Sequence, residues 1–247
     1  MWIGTILPVP SPFQPSEERR VRRSARVARW SRPIGGLGHR LRAWAHMIFA
    51  DHGAWRLVYL NHHQVSHRLW RCAQPAPQQI AAFAASGVLT VVNLRGGKGH
   101  GAWPLEREAC AQHGIALVNF VIRSTLAPDR ETILRAKTFF AELDYPAVAH
   151  CKSGADRSGF FAALYILVEG GTAAAALEQL SLRYGHNRYA RTGILDAFIE
   201  RYRDGGEAHG IPFLEWVEHH YDAAALAREF KPLPFADFIM TRVMRRD

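Results

Sequence analysis

The chain has 247 residues, 48% of them hydrophobic and 21% charged, with three cysteines and a formal net charge of +9. That composition excludes full disorder, a collagen-like repeat and a coiled coil. Three cysteines are too few and odd in number for a disulfide scaffold, which points to a reducing, cytoplasmic compartment. The charge is concentrated: residues 1–60 carry +7, with ten arginines against Glu17, Glu18 and Asp51, whereas the remaining 187 residues carry only +2. The basic character therefore belongs to an arm, and a nucleic-acid-binding body is not indicated.

Residues 1–34 open with Pro8, Pro10, Pro12 and Pro15 and continue with seven arginines between positions 19 and 32. So little apolar material predicts an arm that does not fold alone, and no uninterrupted apolar run follows the arginines as a secretory signal requires. A start placed too far upstream is the duller account of the same arm. Residues 35–55 are expected to hold an amphipathic helix, because Leu37, Leu41, Trp44 and Ile48 recur at helical spacing within LGHRLRAWAHMIFA. It is too short and too charged to span a bilayer. It could lie on an anionic membrane surface or pack against the body, and packing is the commoner fate of such a stripe.

A body is expected over 56–205. RLVYL (56–60) and HRLWRCA (67–73) read as strands, 75–86 as a helix opened by prolines, and VLTVVNL (88–94) as a strand buried on both faces. A helix over 104–114, a strand over 115–122, a helix over 128–143, a strand over 146–151 and a helix over 157–171 follow. The alternation predicts an α/β fold, a mostly parallel central sheet flanked by helices. Helical stretches at 173–184, 190–204 and 213–228 come next, and 206–247 reads as a helical C-terminal extension whose last segment, 232–246, is apolar on one side and basic at its end.

One segment outweighs the rest: His150-Cys151-Lys152-Ser153-Gly154-Ala155-Asp156-Arg157-Ser158-Gly159, where a strand hands over to a helix. A loop there points successive backbone N–H groups and the positive end of a helix at one spot, which makes an anion cradle. Arg157 adds a planar fork matched to two phosphate oxygens. The same field lowers a thiol pKa from about 8.5 to roughly 3.5–7.5, which makes Cys151 a nucleophile at neutral pH. The bland alternative is a cysteine serving as a small buried hydrophobe.

The segment resembles the signature loop of the protein tyrosine phosphatase superfamily, His-Cys-x-x-Gly-x-x-Arg-Ser/Thr-Gly, with every fixed position present. LWRCAQP (69–75) and VVNLR (91–95) are similar to elements of the bacterial and fungal dual-specificity-like members, so the likeness covers about 56–170. It implies that Cys151 attacks phosphorus and forms a cysteinyl-phosphate. Arg157 and the N–H groups of 152–157 would then hold the equatorial oxygens, and Ser158 would help the sulfur leave. Lys152, Ser153, Gly154, Ala155 and Gly159 would complete the phosphate-binding loop, with His150 orienting it or merely filling the core. No metal or cofactor is implied.

For the leaving-group proton the resemblance leaves two aspartates open. Asp129 stands where most members carry the acid, although it could simply cap a helix, and Asp156 lies inside the loop and is slightly favoured. Cys72 reads as packing or as a partner for Cys151 in reversible oxidation. Lys152 directly after the nucleophile also occurs in superfamily members acting on anionic lipid headgroups, and a basic arm suits an anionic membrane. The expected substrate is therefore a phospholipid or lipid A-type phosphomonoester at the inner face of the cytoplasmic membrane. A soluble tyrosine or dual-specificity protein phosphatase and a non-catalytic phosphate-binding module remain the alternatives.

Overall fold

The computed structural model describes residues 24–25, 27–51, 53–96, 99–238. Most of the arginine-rich arm and the basic C-terminal end therefore lie outside the described residues.

A five-stranded sheet organises the molecule, in the order β1-β2-β5-β3-β4. Strands β2 (Leu69–Ala73), β5 (Ala147–Cys151), β3 (Thr90–Asn93) and β4 (Ala116–Asn119) run parallel, and β1 (His63–Gln64) is an antiparallel edge. Period-2 alternation divides the side chains between two apolar layers. Val91, Cys72 and Val148 meet Ile80 and Phe83 of α3 (Pro77–Ala85) and Ala109 and Cys110 of α4 (Ala102–Gln112) on one face. Leu69, Val92, Ala147 and Ala149 meet α5 (Arg130–Glu142), α6 (Asp156–Val168) and later helices on the other. Burial on both faces is why β3 and β5 read as unbroken apolar runs.

The N-terminal segment departs from expectation. Residues 56–60, read as a strand, belong mostly to a short helix, α2 (Gly53–Val58). Arg56 turns back to Asp51, donating from Nη1 to its carbonyl at 2.7 Å and from Nη2 to Oδ2 at 3.0 Å, and only Leu60, beyond the helix, reaches a strand, its carbonyl accepting from Ala73 N of β2 at 2.7 Å. The expected helix over 37–50 is α1 (Leu37–Ala45) followed by one wide π-turn, His46–Ala50. Of the apolar stripe, Trp44 and Ile48 pack on Trp30, Ala43, Met47, Ala102 and Leu105, whereas Leu37 and Leu41 are 79% and 68% exposed.

After α6, the expected helix over 173–184 resolves into α7 (Ala173–Glu178) and a tight turn at Leu182–Tyr184, that over 190–204 is α8 (Ile194–Gly205), that over 213–228 divides into α9 (Phe213–His219) and α10 (Ala223–Glu229), and α11 (Pro234–Phe238) lies in the last segment. The break between α9 and α10 is chemical. Asp222 caps α10, its Oδ1 accepting from the N–H groups of Ala224 and Ala225 at 2.8 and 3.0 Å, and a cap begins a new helix. Phe198 of α8 ties these helices to the body, its ring 5.7 Å from Phe160, 5.8 Å from Trp216 and 4.8 Å from Tyr221. Phe198→Ala is expected to destabilise the protein by about 3–5 kcal/mol. In urea, Trp216 fluorescence and far-UV circular dichroism should move together to a lower midpoint, because the helices beyond 205 share this core.

Candidate active site

The site forms where β5 ends. Ladder pairing places Cys72 beside His150 and Ala73 beside Cys151, and Leu94 N donates to His150 O at 3.0 Å, so the ends of β2 and β3 flank the loop. Ligands in parallel α/β sheets bind outside such carboxyl ends.

Each loop carbonyl from 152 to 155 has a donor inside the protein. Gln74 N donates to Lys152 O at 3.4 Å, and Asn61 Nδ2 to Ser153 O at 3.0 Å. Arg71 Nη2 donates to both Gly154 O and Ala155 O at 2.8 Å. In a planar trans peptide the C=O and the following N–H point in opposite directions. Drawing four carbonyls inward therefore turns the N–H groups of 153–156 outward, into a nest for an anion. Gly154 must be glycine here: its φ is +73°, and a Cβ would stand 2.7 Å from Ala73 N and 2.8 Å from Cys72 C. At Gly159 a Cβ would come within 2.6 Å of Gln179 O, so the helix that carries Arg157 could not pack so closely.

Arg71 is fully buried on the sheet face that bears Leu69. It also donates from Nη1 to Gln179 O at 2.6 Å and lies 4.3 Å from the centroid of the Tyr184 ring. Burial lowers its pKa to about 10, which leaves it charged at neutral pH. Beneath the strand end, the buried Glu106 carboxylate accepts from Gln74 Nε2 at 2.8 Å and Asn93 Nδ2 at 2.9 Å and meets His150 Nε2. His150 is thereby fixed by a carboxylate rather than by loose apolar packing.

Burial pushes the Cys151 thiol up, but the Arg157 guanidinium and the hydroxyl and N–H of Ser158 outweigh it, so the thiol lies below its ordinary value. The Ser158 hydroxyl also sits 3.2 Å from Cys72 O. Its single proton serves one acceptor at a time, and a thiolate is the stronger claimant. Cys72 is fully buried and its thiol is pushed well up, first by burial and then by the charge of Cys151. Lys152 and Ser153 are partly exposed and Ala155 is buried within the loop.

The two aspartates stand in different settings. Asp129 caps α5, Oδ2 accepting from Thr132 N and Thr132 Oγ1 at 2.9 Å each, and borders a groove walled by Arg123, Leu126 and Phe160. Asp156, the first residue of α6, is buried and its Oδ1 lies 2.7 Å from His186 Nδ1; His186 Nε2 in turn lies 2.6 Å from Asp196 Oδ2. Nothing in the sequence pattern marks Asn61, Glu106, His186 or Asp196, nor a role for Arg71 and Gln74. Arg71 and Gln74 stand inside the LWRCAQP element, the one signal that pointed near them.

A family model described as "DSP-PTPase phosphatase fused to NAD+ Kinase" matches residues 47–193, more than half of the chain. The chain belongs to this family. It is 31% and 30% identical over 123 residues to the dual specificity protein phosphatase TpbA of Pseudomonas aeruginosa strains UCBPP-PA14 and PAO1, respectively. These matches cover 49% of this chain and 53% of each relative, so the chain spans about half the length of the curated relatives it matches. A crystal structure of P. aeruginosa TpbA is 26% identical, covering 63% of this chain and 91% of that one with a TM-score of 0.49. The family assignment agrees with the resemblance carried by the signature loop and with the α/β fold that the alternation of strands and helices predicts.

The His186 linkage has a thermodynamic consequence. Burial lowers the imidazole pKa, but hydrogen bonds to Asp156 and Asp196 outweigh it and raise the value from 6.5 to about 9. The folded state thus holds a proton that the unfolded chain releases, and this contribution is complete below about 6.5 and lost as pH rises towards about 9. Thermal unfolding should show a falling midpoint across that window. In His186→Gln the fall should be smaller, from a lower starting stability.

Proposed function

We propose that the chain is a cysteine-dependent phosphatase that hydrolyses phosphomonoesters through a cysteinyl-phosphate intermediate. The observation that carries this reading is Cys151, with its thiol lowered by Arg157 and Ser158, at the floor of a loop whose carbonyls are all drawn inward. Cys151 attacks phosphorus in line with the ester oxygen. Arg157 and the outward N–H groups hold the three equatorial oxygens as charge spreads over them. Transfer of the phosphoryl group to sulfur expels the alcohol, which takes a proton from a general acid; water then attacks the cysteinyl-phosphate, and Ser158 hydrogen-bonds the departing sulfur. Asp129 and Asp156 remain the two candidate acids.

Cys151→Ser is expected to reduce hydrolysis of nitrophenyl phosphate to background while the fold and binding of vanadate persist. Arg157→Lys, which keeps the charge but loses the fork, should be nearly as inactive. Retention of more than a few per cent of activity by Cys151→Ser would exclude covalent cysteine catalysis. Vanadate binding with no turnover by the wild-type chain would favour the non-catalytic module.

As substrate we favour a phospholipid or lipid A-type phosphomonoester at a membrane surface. Leu37, Leu41, Phe49, Trp55 and Val58 are exposed on a segment that also carries exposed Arg32 and Arg42, whereas Arg40 is paired with Glu108. That segment runs directly into Asn61, which holds Ser153 O of the loop. Exposed apolar side chains with interspersed arginines suit an anionic bilayer interface. No helix among the described residues is long and apolar enough to cross a membrane. The competing reading, a phosphoprotein substrate, is supported by the likeness to TpbA, named a dual specificity protein phosphatase.

Replacing Leu37, Leu41 and Phe49 together with serine should weaken binding to vesicles of phosphatidylglycerol. Activity on nitrophenyl phosphate should stay unchanged, and activity on a vesicle-embedded phosphomonoester should fall several-fold. Unchanged vesicle binding, with efficient turnover of a phosphotyrosine peptide, would move the protein-phosphatase reading ahead.

A further inference from the structure

Asp156, His186 and Asp196 come from three separate elements: the start of α6, the turn after Leu182–Tyr184 and the first turn of α8. All three side chains are buried, and each ring nitrogen of His186 faces a carboxylate oxygen within 2.7 Å. A neutral imidazole carries one N–H, so its other nitrogen would aim a lone pair at a carboxylate. Only the doubly protonated ring donates to both. The elevation of its pKa to about 9 agrees with that geometry.

This arrangement bears on catalysis because Asp156 immediately precedes Arg157. The ring ties the first turn of α6, and with it Arg157 and Ser158, to α8, while Arg71 holds the carbonyls of the two preceding residues. It also sets a positive charge against the Asp156 carboxylate, which would otherwise oppose thiolate formation at Cys151. Resting on the phosphatase reading above, we propose that His186 is a positioning residue. It holds Asp156 as an ionised acceptor and locks the Arg157 turn in place, so that Asp156 does not deliver the leaving-group proton. Asp196 is the second anchor of the ring.

Nuclear magnetic resonance of the wild-type chain at pH 7, with the histidines labelled by nitrogen-15, should show His186 protonated on both ring nitrogens, with two downfield N–H signals. In kinetics, His186→Gln should lower kcat by about tenfold to a hundredfold, the scale of a small misplacement of catalytic groups. KM should change far less than kcat. Across aryl and alkyl phosphates, Asp156→Asn should lose a similar factor throughout, leaving the slope of log kcat against leaving-group pKa as in the wild type.

Three results would overturn the proposal: a singly protonated His186 ring at pH 7, wild-type kcat in folded His186→Gln, or a loss in Asp156→Asn that grows with leaving-group pKa. The last would make Asp156 the acid. If His186→Gln fails to fold, the wild-type spectrum and the Asp156→Asn slope still decide. The spectrum is independent of turnover, so a failure of the phosphatase reading itself, active Cys151→Ser or an inactive wild type, remains distinguishable.

Discussion

The four inward hydrogen bonds to the carbonyls of 152–155 are the constraint on which the site depends. A peptide loop left to itself presents N–H and C=O groups to solvent in alternation, and its carbonyls repel an anion as much as its amides attract one. Here Gln74, Asn61 and Arg71 take every carbonyl of that stretch from the inside, leaving the amides for the outside. The arrangement is built before any ligand arrives, so an anion would meet amides already in place. It also explains a guanidinium in the core: Arg71 is desolvated but donates to the loop and to Gln179 O and rests on the Tyr184 ring.

A second polar layer supports the first. Glu106 gathers Gln74, Asn93 and His150, thereby linking the ends of β2, β3 and β5 through one buried carboxylate. Gln74 belongs to both layers, its backbone N–H on the loop and its side chain on Glu106. From Gln74 the network continues to Arg95, which grips both oxygens of Asp51 at 2.8 Å, and Asp51 in turn holds Arg56. The Asp51 carboxyl is pushed up by burial and pulled further down by these arginines, so it stays well below the usual carboxylate range. The N-terminal segment is thus coupled to the loop through buried charge, and removing any one partner would strand another away from water.

That coupling gives the outer surface of the same segment its significance. Trp30, Ala43 and Met47 turn inward onto Ala102 and Leu105, whereas Leu37, Leu41, Phe49, Trp55 and Val58 turn out. The apolar stripe is divided between two surroundings rather than wholly buried. An amphipathic helix commonly hides its stripe in the core of its own domain; here the body supplies contacts for only half of it.

The sequence by itself determined the alternation of strands and helices from 67 to 171 and singled out the Cys-to-Arg segment as the candidate phosphate loop. Both rest on local rules: β-branched runs such as VLTVVNL need burial on both faces, and a Cys-to-Arg spacing across a strand-to-helix junction needs no distant contact to be recognised. Only the tertiary structure decided what sits behind the loop. Asn61, Arg71, Glu106 and His186 lie 92, 83, 44 and 30 residues from the groups they hold, and a lone Arg or His carries no periodic signal of its destination. The same reason accounts for the strand expected at 56–60. RLVYL has a strand's composition, but only Leu60 meets β2, and a buried ion pair to Asp51 holds Arg56 in a helical turn instead. Asp156 shows the division within one residue: its place in the loop beside Arg157 is legible from the chain, whereas its tie to His186 and Asp196 depends on folding three distant segments together.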